Sequence, residues 1–438
     1  SDETIISVDD RGTVTGLSGG TATVTVTTED GGFTASAEIT VYYAPANTWT
    51  AIGTASNCFQ GCFDGNGYAV RGIYINTQKG YQGLFRNSYS DSVIANLGVA
   101  ESYIYGGLYV GGVVGDNNGT VTNCYNTGSV TGKDYVGGVV GYSLLDSTFT
   151  NCYNTGSVTG KDYVGGVVGC SDSTFTNCYN TGIVNGNDNV GGVVGYNADD
   201  GGTVTNCYNT GSITGKEHVG GVVGDAYKTD VTNCYNTGSI TGKEDVGGVV
   251  GDGSNSTFTD CYNTGSVTGE KHVGGVVGWG SNVTDCYNEG IVSGNEYVGG
   301  VVGRGSNVTD CYNTGNVKGI DDVGGVIGSG AAVTNCYNTG SVTGGRVISY
   351  DVGGVVGENN GTVANCYNTG SITGKYWVGG VVGYNAYGTS TVTNCYNTGS
   401  VTGSDESVGG VTGHNRGTVT NCYNTGSITG KYWVGGVV

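Results

Sequence analysis

Twelve cysteines stand in one tetrapeptide, Asn/Asp-Cys-Tyr-Asn, at Cys124, Cys152, Cys178, Cys207, Cys234, Cys261, Cys286, Cys311, Cys336, Cys366, Cys395 and Cys422. Successive copies lie 25 to 30 residues apart. Two kinds of chemistry suit thiols at such spacing. If each repeat is one stacked coil, neighbouring thiols lie about 4.8 Å apart, inside the Cα range that a disulfide accepts. Alternatively they form a column of small, buried, unreactive thiols. Nothing cationic adjoins the motif to hold a thiolate, so the expectation is a ladder that is mostly reduced, with sporadic pairing. Fifteen cysteines in all is an odd number, which leaves at least one unpaired within the chain. The three outside the ladder are Cys58, Cys62 and Cys170.

Metal chemistry has little support at this level. No spacing is Cys-x-x-Cys, and histidine is limited to His218, His272 and His414. Neither a metal nor a cofactor is expected. His-Glu-x-x-His, Gly-x-Ser-x-Gly and a phosphate loop are absent. Asp and Glu are scattered over the turns, as in Lys133-Asp134 and Lys161-Asp162, and do not form a unique catalytic group. The chain therefore reads as no enzyme.

Aromatic side chains are the remaining candidates. Tyrosine follows every ladder cysteine, as in Tyr125, Tyr153 and Tyr179. A surface row of rings could stack on sugars, but packing along a core or edge is the simpler role. A second aromatic position precedes Val-Gly-Gly, with Tyr135, Tyr163, Tyr297, Trp377 and Trp433 in some repeats and Asn189, His218, Asp245 and Ser407 in others. Variation at one position of an otherwise uniform repeat suggests exposure, and these five aromatics are the candidate ligand contacts.

The elements that must position these residues follow from the repeat. In Thr120-Val121-Thr122 the alternation turns Val121 inward and the threonines outward. The same inward position holds only Val or Phe elsewhere, as in Phe149, Phe175 and Val204. Ser129-Val130-Thr131 follows the same logic, and Val136 to Gly141 reads as a third apolar strand. Three short strands and three turns per repeat make one coil of a right-handed parallel β-helix, an all-β solenoid of about 12 regular coils plus opening coils. Asn at the corner beside each cysteine can stack as an amide ladder. Whether Cys124 or Tyr125 points inward stays open, because a corner at Asn123 would break the alternation.

Composition bounds the partners. The formal net charge is −20, which disfavours nucleic acid and anionic lipid. No apolar run approaches the roughly 18 residues that span a bilayer, so no membrane insertion is expected in this segment. With 89 glycines and one proline among 438 residues, neither collagen nor a proline-rich linker fits.

Two resemblances carry further. Ile6-Ser7-Val8-Asp9, Gly12-Thr13-Val14-Thr15-Gly16-Leu17, Gly20-Thr21-Ala22-Thr23-Val24 and Ala37-Glu38-Ile39-Thr40-Val41 resemble the second half of a bacterial immunoglobulin-like (BIG) domain. That gives a partial immunoglobulin-like β segment at residues 1–45, with turns at 9–12 and 29–32. Residues 46–105, with the Asp64-Gly65-Asn66-Gly67 turn ahead of Val70, Ile73 and Ile75, look like the opening coils of a β-helix found before GLUG motifs. From residue 106 to 438 the repeats are similar to GLUG motifs, as in Val110-Gly111-Gly112-Val113-Val114-Gly115 and Gly119-Thr120-Val121-Thr122-Asn123-Cys124-Tyr125.

The resemblance implies a large bacterial surface or secreted protein. Three functions remain in play: a non-enzymatic stalk, adhesin or filament component; the non-catalytic arm of a secreted enzyme such as a metallopeptidase; and a carbohydrate-binding module. Partners would be another protein or a glycan surface. Both ends of the chain fall inside a pattern, which reads either as part of a longer protein or as end-to-end self-association.

Overall fold

A computed structural model describes residues 4–8, 14–16, 19–27, 32–41, 49–54, 56–198, 202–345 and 349–438. The turn read at 9–12, most of that at 29–32 and the boundary near residue 45 lie outside the described residues. Near the N-terminus, Ile6–Val8 pairs antiparallel with Val14–Gly16. Gly20–Thr27 pairs antiparallel with Thr34–Val41. These two hairpins form sheets separate from the rest.

From Cys62 onward the described residues stack as a parallel β-helix of about 14 turns, with two sheets of 14 strands, one of 13 and one of 20. Stacking at about 4.8 Å per turn makes a rod on the order of 60–65 Å long. The opening strands share the columns of the later ones: Ala69–Arg71 pairs with Gly98–Ala100, which pairs with Tyr125–Asn126.

One coil shows the construction. Thr120–Thr122, Tyr125–Asn126, Ser129–Thr131 and Asp134–Gly137 each join a parallel column, and Val140–Thr150 carries the chain into the next turn. Val121, Cys124, Val130, Val136, Val139 and Val140 are all fully buried. Their equivalents form one continuous apolar core from Ile73 to Val411. Each fully buried valine contributes about 1.5–3 kcal/mol, repeated in every coil, so stability rests on a sum of nearly identical layers.

Two corners deserve a physical account. Asn123 adopts φ 51°, and every equivalent Asn or Asp is also left-handed. Asn and Asp tolerate this region better than other side chains. The corner resets the alternation, so Cys124 turns into the core while Tyr125 points outward and is half-buried. The second corner corrects the third strand read from the sequence. Val136 to Gly141 is not one strand: it ends at Gly137, bends over Gly138 and Val139, and restarts at Val140 in another sheet. A Cβ on Gly137 would collide with the Val140 carbonyl oxygen, and one on Gly138 with the Gly166 carbonyl of the next coil. Only glycine allows so tight a bend against a stacked neighbour.

Candidate functional site: the variable corner

The three repeated ladders are chemically quiet. The Cys124 thiol donates to the Thr122 and Ile94 carbonyls at 3.3 and 3.5 Å, and the Cys178 backbone N–H donates to Cys207 Sγ at 3.4 Å. None of the twelve ladder cysteines is in a disulfide; the ladder is buried except for half-buried Cys422. Burial pushes the Cys124, Cys152, Cys178 and Cys207 thiols well above the ordinary range. At Cys261 and Cys311, hydrogen bonds from the thiols on either side pull the other way, against burial. Among the described residues no cation is paired with the column, and burial shields all but Cys422 from solvent.

Outward, Tyr125 stacks on Tyr153 with centroids 4.8 Å apart and planes within 4°, and Tyr153 on Tyr179 at 4.8 Å and 2°. The stack continues unbroken to Tyr423. Each ring face is covered by its neighbours, and the rings present edges and hydroxyls to solvent. A third ladder was not singled out in the sequence. Fully buried Asn126 donates from Nδ2 to Asn154 Oδ1 at 2.8 Å and to the Gly128 carbonyl at 3.0 Å, a pattern repeated through the rod. Its signal was the invariant last residue of the tetrapeptide. The Asn123 column forms a further, exposed amide ladder, with Asn123 Nδ2 donating to Asn96 Oδ1 and Asn151 Nδ2 to Asn123 Oδ1.

Variation gathers at one corner. The residue before each Val-Gly-Gly is left-handed, with φ between 47° and 61° from Tyr109 to Trp433. Left-handed backbone costs a non-glycine residue roughly 1–2 kcal/mol, and such outliers concentrate at functional sites. A second variable column faces it, three residues beyond the bend: Tyr142, Cys170, Tyr196, Asp225, Asp252, Trp279, Arg304, Ser329, Glu358, Tyr384 and His414 stack in parallel register.

The two columns interlock into zones of distinct chemistry. At one end Tyr135 stacks on Tyr163 at 4.8 Å and meets Tyr142 edge-on at 5.3 Å. Tyr163 meets Tyr196 at 5.8 Å. Buried Cys170 lies among these rings, its thiol pushed up by burial. Farther along, the Arg304 guanidinium sits 5.3 Å over the Tyr297 ring. Trp377 packs on Tyr384 at 5.0 Å and on His414 at 4.8 Å. Tyr135, Tyr163, Tyr297 and Trp377 are thus half-buried against the facing column; Trp433 is the mainly exposed member, at 73%.

Between the aromatic zones lie two polar ones. Asp322 and Asp351, on consecutive coils, are buried and hydrogen-bonded through their carboxyls. Burial and the neighbouring carboxylates Asp321, Glu296 and Glu358 push Asp322 up to about 7. Burial and Asp322 push Asp351 up to about 10. The other polar zone is built from His218, Asp225, Asp245 and Asp252. Among the described residues, His218, Asp245 and Asp252 bring three metal-ligand atoms within 4.8 Å of one another. The sequence carried a signal for this: His218 and Asp245 stand one repeat apart, as do Asp225 and Asp252.

Seven segments match the model of the GLUG motif: residues 134–159, 186–214, 215–241, 294–318, 348–373, 378–402 and 404–429. This is a GLUG-motif repeat chain. Each match spans about one coil, and all but that at 378–402 include the left-handed corner residue. Among curated proteins, halomucin of Haloquadratum walsbyi is 36% identical over 90 residues, which is 20% of this chain and 1% of halomucin. A protein of Evansella cellulosilytica, provisionally named a Gly-rich membrane protein, is 34% identical over 91 residues, 20% of this chain and 10% of that protein. The GLUG chain thus aligns with only a small part of either relative. No solved structure matches it.

Proposed function

We propose that this GLUG-repeat chain is an extracellular, non-enzymatic rod, the stalk or adhesive shaft of a surface protein. One observation carries the reading. The buried Val, Cys and Asn columns and the outer Tyr column recur coil after coil, and a ladder of equivalent residues has no unique member to serve as a catalytic centre. The names of the two relatives, a halomucin and a membrane protein, support a surface location. Adhesion belongs to the variable corner, because the tyrosine stack has its ring faces already covered.

The test combines shape and capture. Small-angle scattering should give a stiff rod on the order of 60–65 Å for the β-helix. On glycan and extracellular-matrix arrays, any capture should fall at least tenfold in the triple variant Tyr135→Asn, Tyr163→Asn, Trp377→Asn, with circular dichroism unchanged. A flexible coil in scattering would refute the rod. Capture unaffected by the triple variant would refute the adhesive corner and leave a plain stalk.

A further inference from the structure

We propose that His218, Asp245 and Asp252, with Asp225 beside them, form a binding site for one divalent first-row transition-metal ion. Two adjacent coils build it as a square. His218 and Asp245 stack in the left-handed column, and Asp225 and Asp252 stack in the facing column. His218 Nε2 lies 3.3 Å from Asp245 Oδ2 and 4.0 Å from Asp252 Oδ2. Ligand atoms bound at about 2.0–2.2 Å in tetrahedral geometry sit roughly that far from one another.

The supports around the square decide between a ligand set and an ordinary ion pair. His218 Nδ1 is 2.8 Å from Asn189 Oδ1. An amide oxygen only accepts, so Nδ1 carries a hydrogen and Nε2 is the atom turned toward the two carboxylates. Against the effect of burial, the surrounding carboxylates raise His218 to about 9, so a metal ion would bind here by displacing the Nε2 proton. Asp245 Oδ1 accepts from His272 Nδ1 at 2.7 Å, which leaves Oδ2 for the square. Asp252 Oδ1 accepts from the Ser254 backbone N–H at 3.0 Å and from its hydroxyl at 2.8 Å, which again leaves Oδ2. Each ligand therefore has one atom fixed by a neighbour outside the square and its other atom turned to a common point. Metal-ligating imidazoles and carboxylates are held in this way.

His272 adds an independent sign. Its side chain is 5% exposed, its Nδ1 is committed to Asp245, and its Nε2 has no hydrogen-bond partner. A buried histidine with half its polar capacity unmet is costly as mere packing. It is well placed as the support that orients a ligating carboxylate. Charge points the same way. Three carboxylates surround one imidazole, with Asp245 and Asp252 mostly buried, so a single proton on His218 leaves the square negative where a divalent cation balances it. One nitrogen and two or three carboxylate oxygens suit Mn²⁺, Co²⁺ or Zn²⁺ better than Ca²⁺, which takes oxygen ligands throughout.

The experiment uses the whole chain after chelator treatment, titrated with Mn²⁺ and followed by the loss of the free-ion electron paramagnetic resonance signal. One saturable equivalent is expected, with His218→Ala and Asp252→Asn each weakening it at least tenfold. Asn189→Ala, which touches only the support of His218, should weaken it about tenfold. Co²⁺ should give a spectrum without a thiolate charge-transfer band, which separates this site from exposed Cys62. Circular dichroism checks each variant; should His218→Ala fail to fold, the wild-type titration and Asp252→Asn still decide. No saturable Mn²⁺ uptake by the wild type would overturn the proposal in favour of a protonated His218 ion-pair network. Equal affinity in the folded variants, or a thiolate band with Co²⁺, would overturn it in favour of other groups.

Discussion

Two aromatic columns run along the same rod and behave differently. Along the tyrosine face one residue type repeats, adjacent planes stay nearly parallel (Tyr287 on Tyr312 at 0°), and each ring stacks on its own kind. Along the variable corner the backbone is left-handed, and neighbours meet at mixed angles, as with Trp377 and Tyr384 at 43°. Repetition turns a side chain into a structural layer. Substitution within a fixed geometry turns the same lattice into a series of unlike neighbours, which is where acid pairs, a buried histidine and stacked guanidinium groups arise. The rod separates stability from chemistry by face.

That separation breaks most sharply at the inner amide ladder. Asn236 accepts from Asn209 Nδ2 and Gly238 N–H and donates to Asn263 Oδ1 and the Gly238 carbonyl. Asn236→Leu would leave those partners buried and unpaired. The expected loss is about 3–5 kcal/mol, read by urea denaturation.

A smaller and opposite effect is expected at the corner's acid pair. Asp322 and Asp351 are raised in the folded state, so the native chain holds more protons than the unfolded chain between pH about 4 and their folded values. Stability from this pair is present below pH about 4 and is lost as pH rises through about 7 toward about 10. Asp351→Asn should therefore raise the midpoint of thermal unfolding at pH 8, by the equivalent of roughly 2 kcal/mol, and flatten its dependence on pH. A variant that melts lower at pH 8 would show that the carboxyls are better solvated than their burial implies.

The smallest effect is expected for Tyr163→Asn. Loss of the stack on Tyr135 costs about 0.5–1.5 kcal/mol, while Asn sits more easily in the left-handed region, as Asn189 does at φ 54° one coil later. The net change in unfolding free energy should stay within about 1 kcal/mol, measured beside Tyr153→Asn on the repetitive face. Equal losses at both positions would remove the distinction between the faces.

The β-helix was legible because Val121, Phe149 and Phe175 keep strict alternation between hydroxyl residues, a pattern that local sequence carries by itself. The orientation of Cys124 and Tyr125 was not, since a single left-handed residue at Asn123 inverts the parity and propensity alone does not reveal it. Val136 to Gly141 misled for a related reason: glycine reads equally as weak strand and as close-packed corner, and only the stacked Gly166 carbonyl decides. At the corner, variability marked the column of Tyr135 and Trp377, but the facing column of Asp225 and Asp252 needed the register between coils. His218 and Asp245 become neighbours only when the chain is folded back by one whole repeat.

The stacking register also makes length and neighbourhood change together. Adding or removing one whole coil preserves every column, so the rod can lengthen or shorten in quanta of about 4.8 Å by recombination between near-identical repeats. Each such event also reshuffles the corner. Deleting the coil that carries Asp245 and Asp252 would set His218 directly against His272 and Asp225 against Trp279. The lattice thus works as a sliding alphabet: a register event that is conservative for the core composes a new surface in a single step.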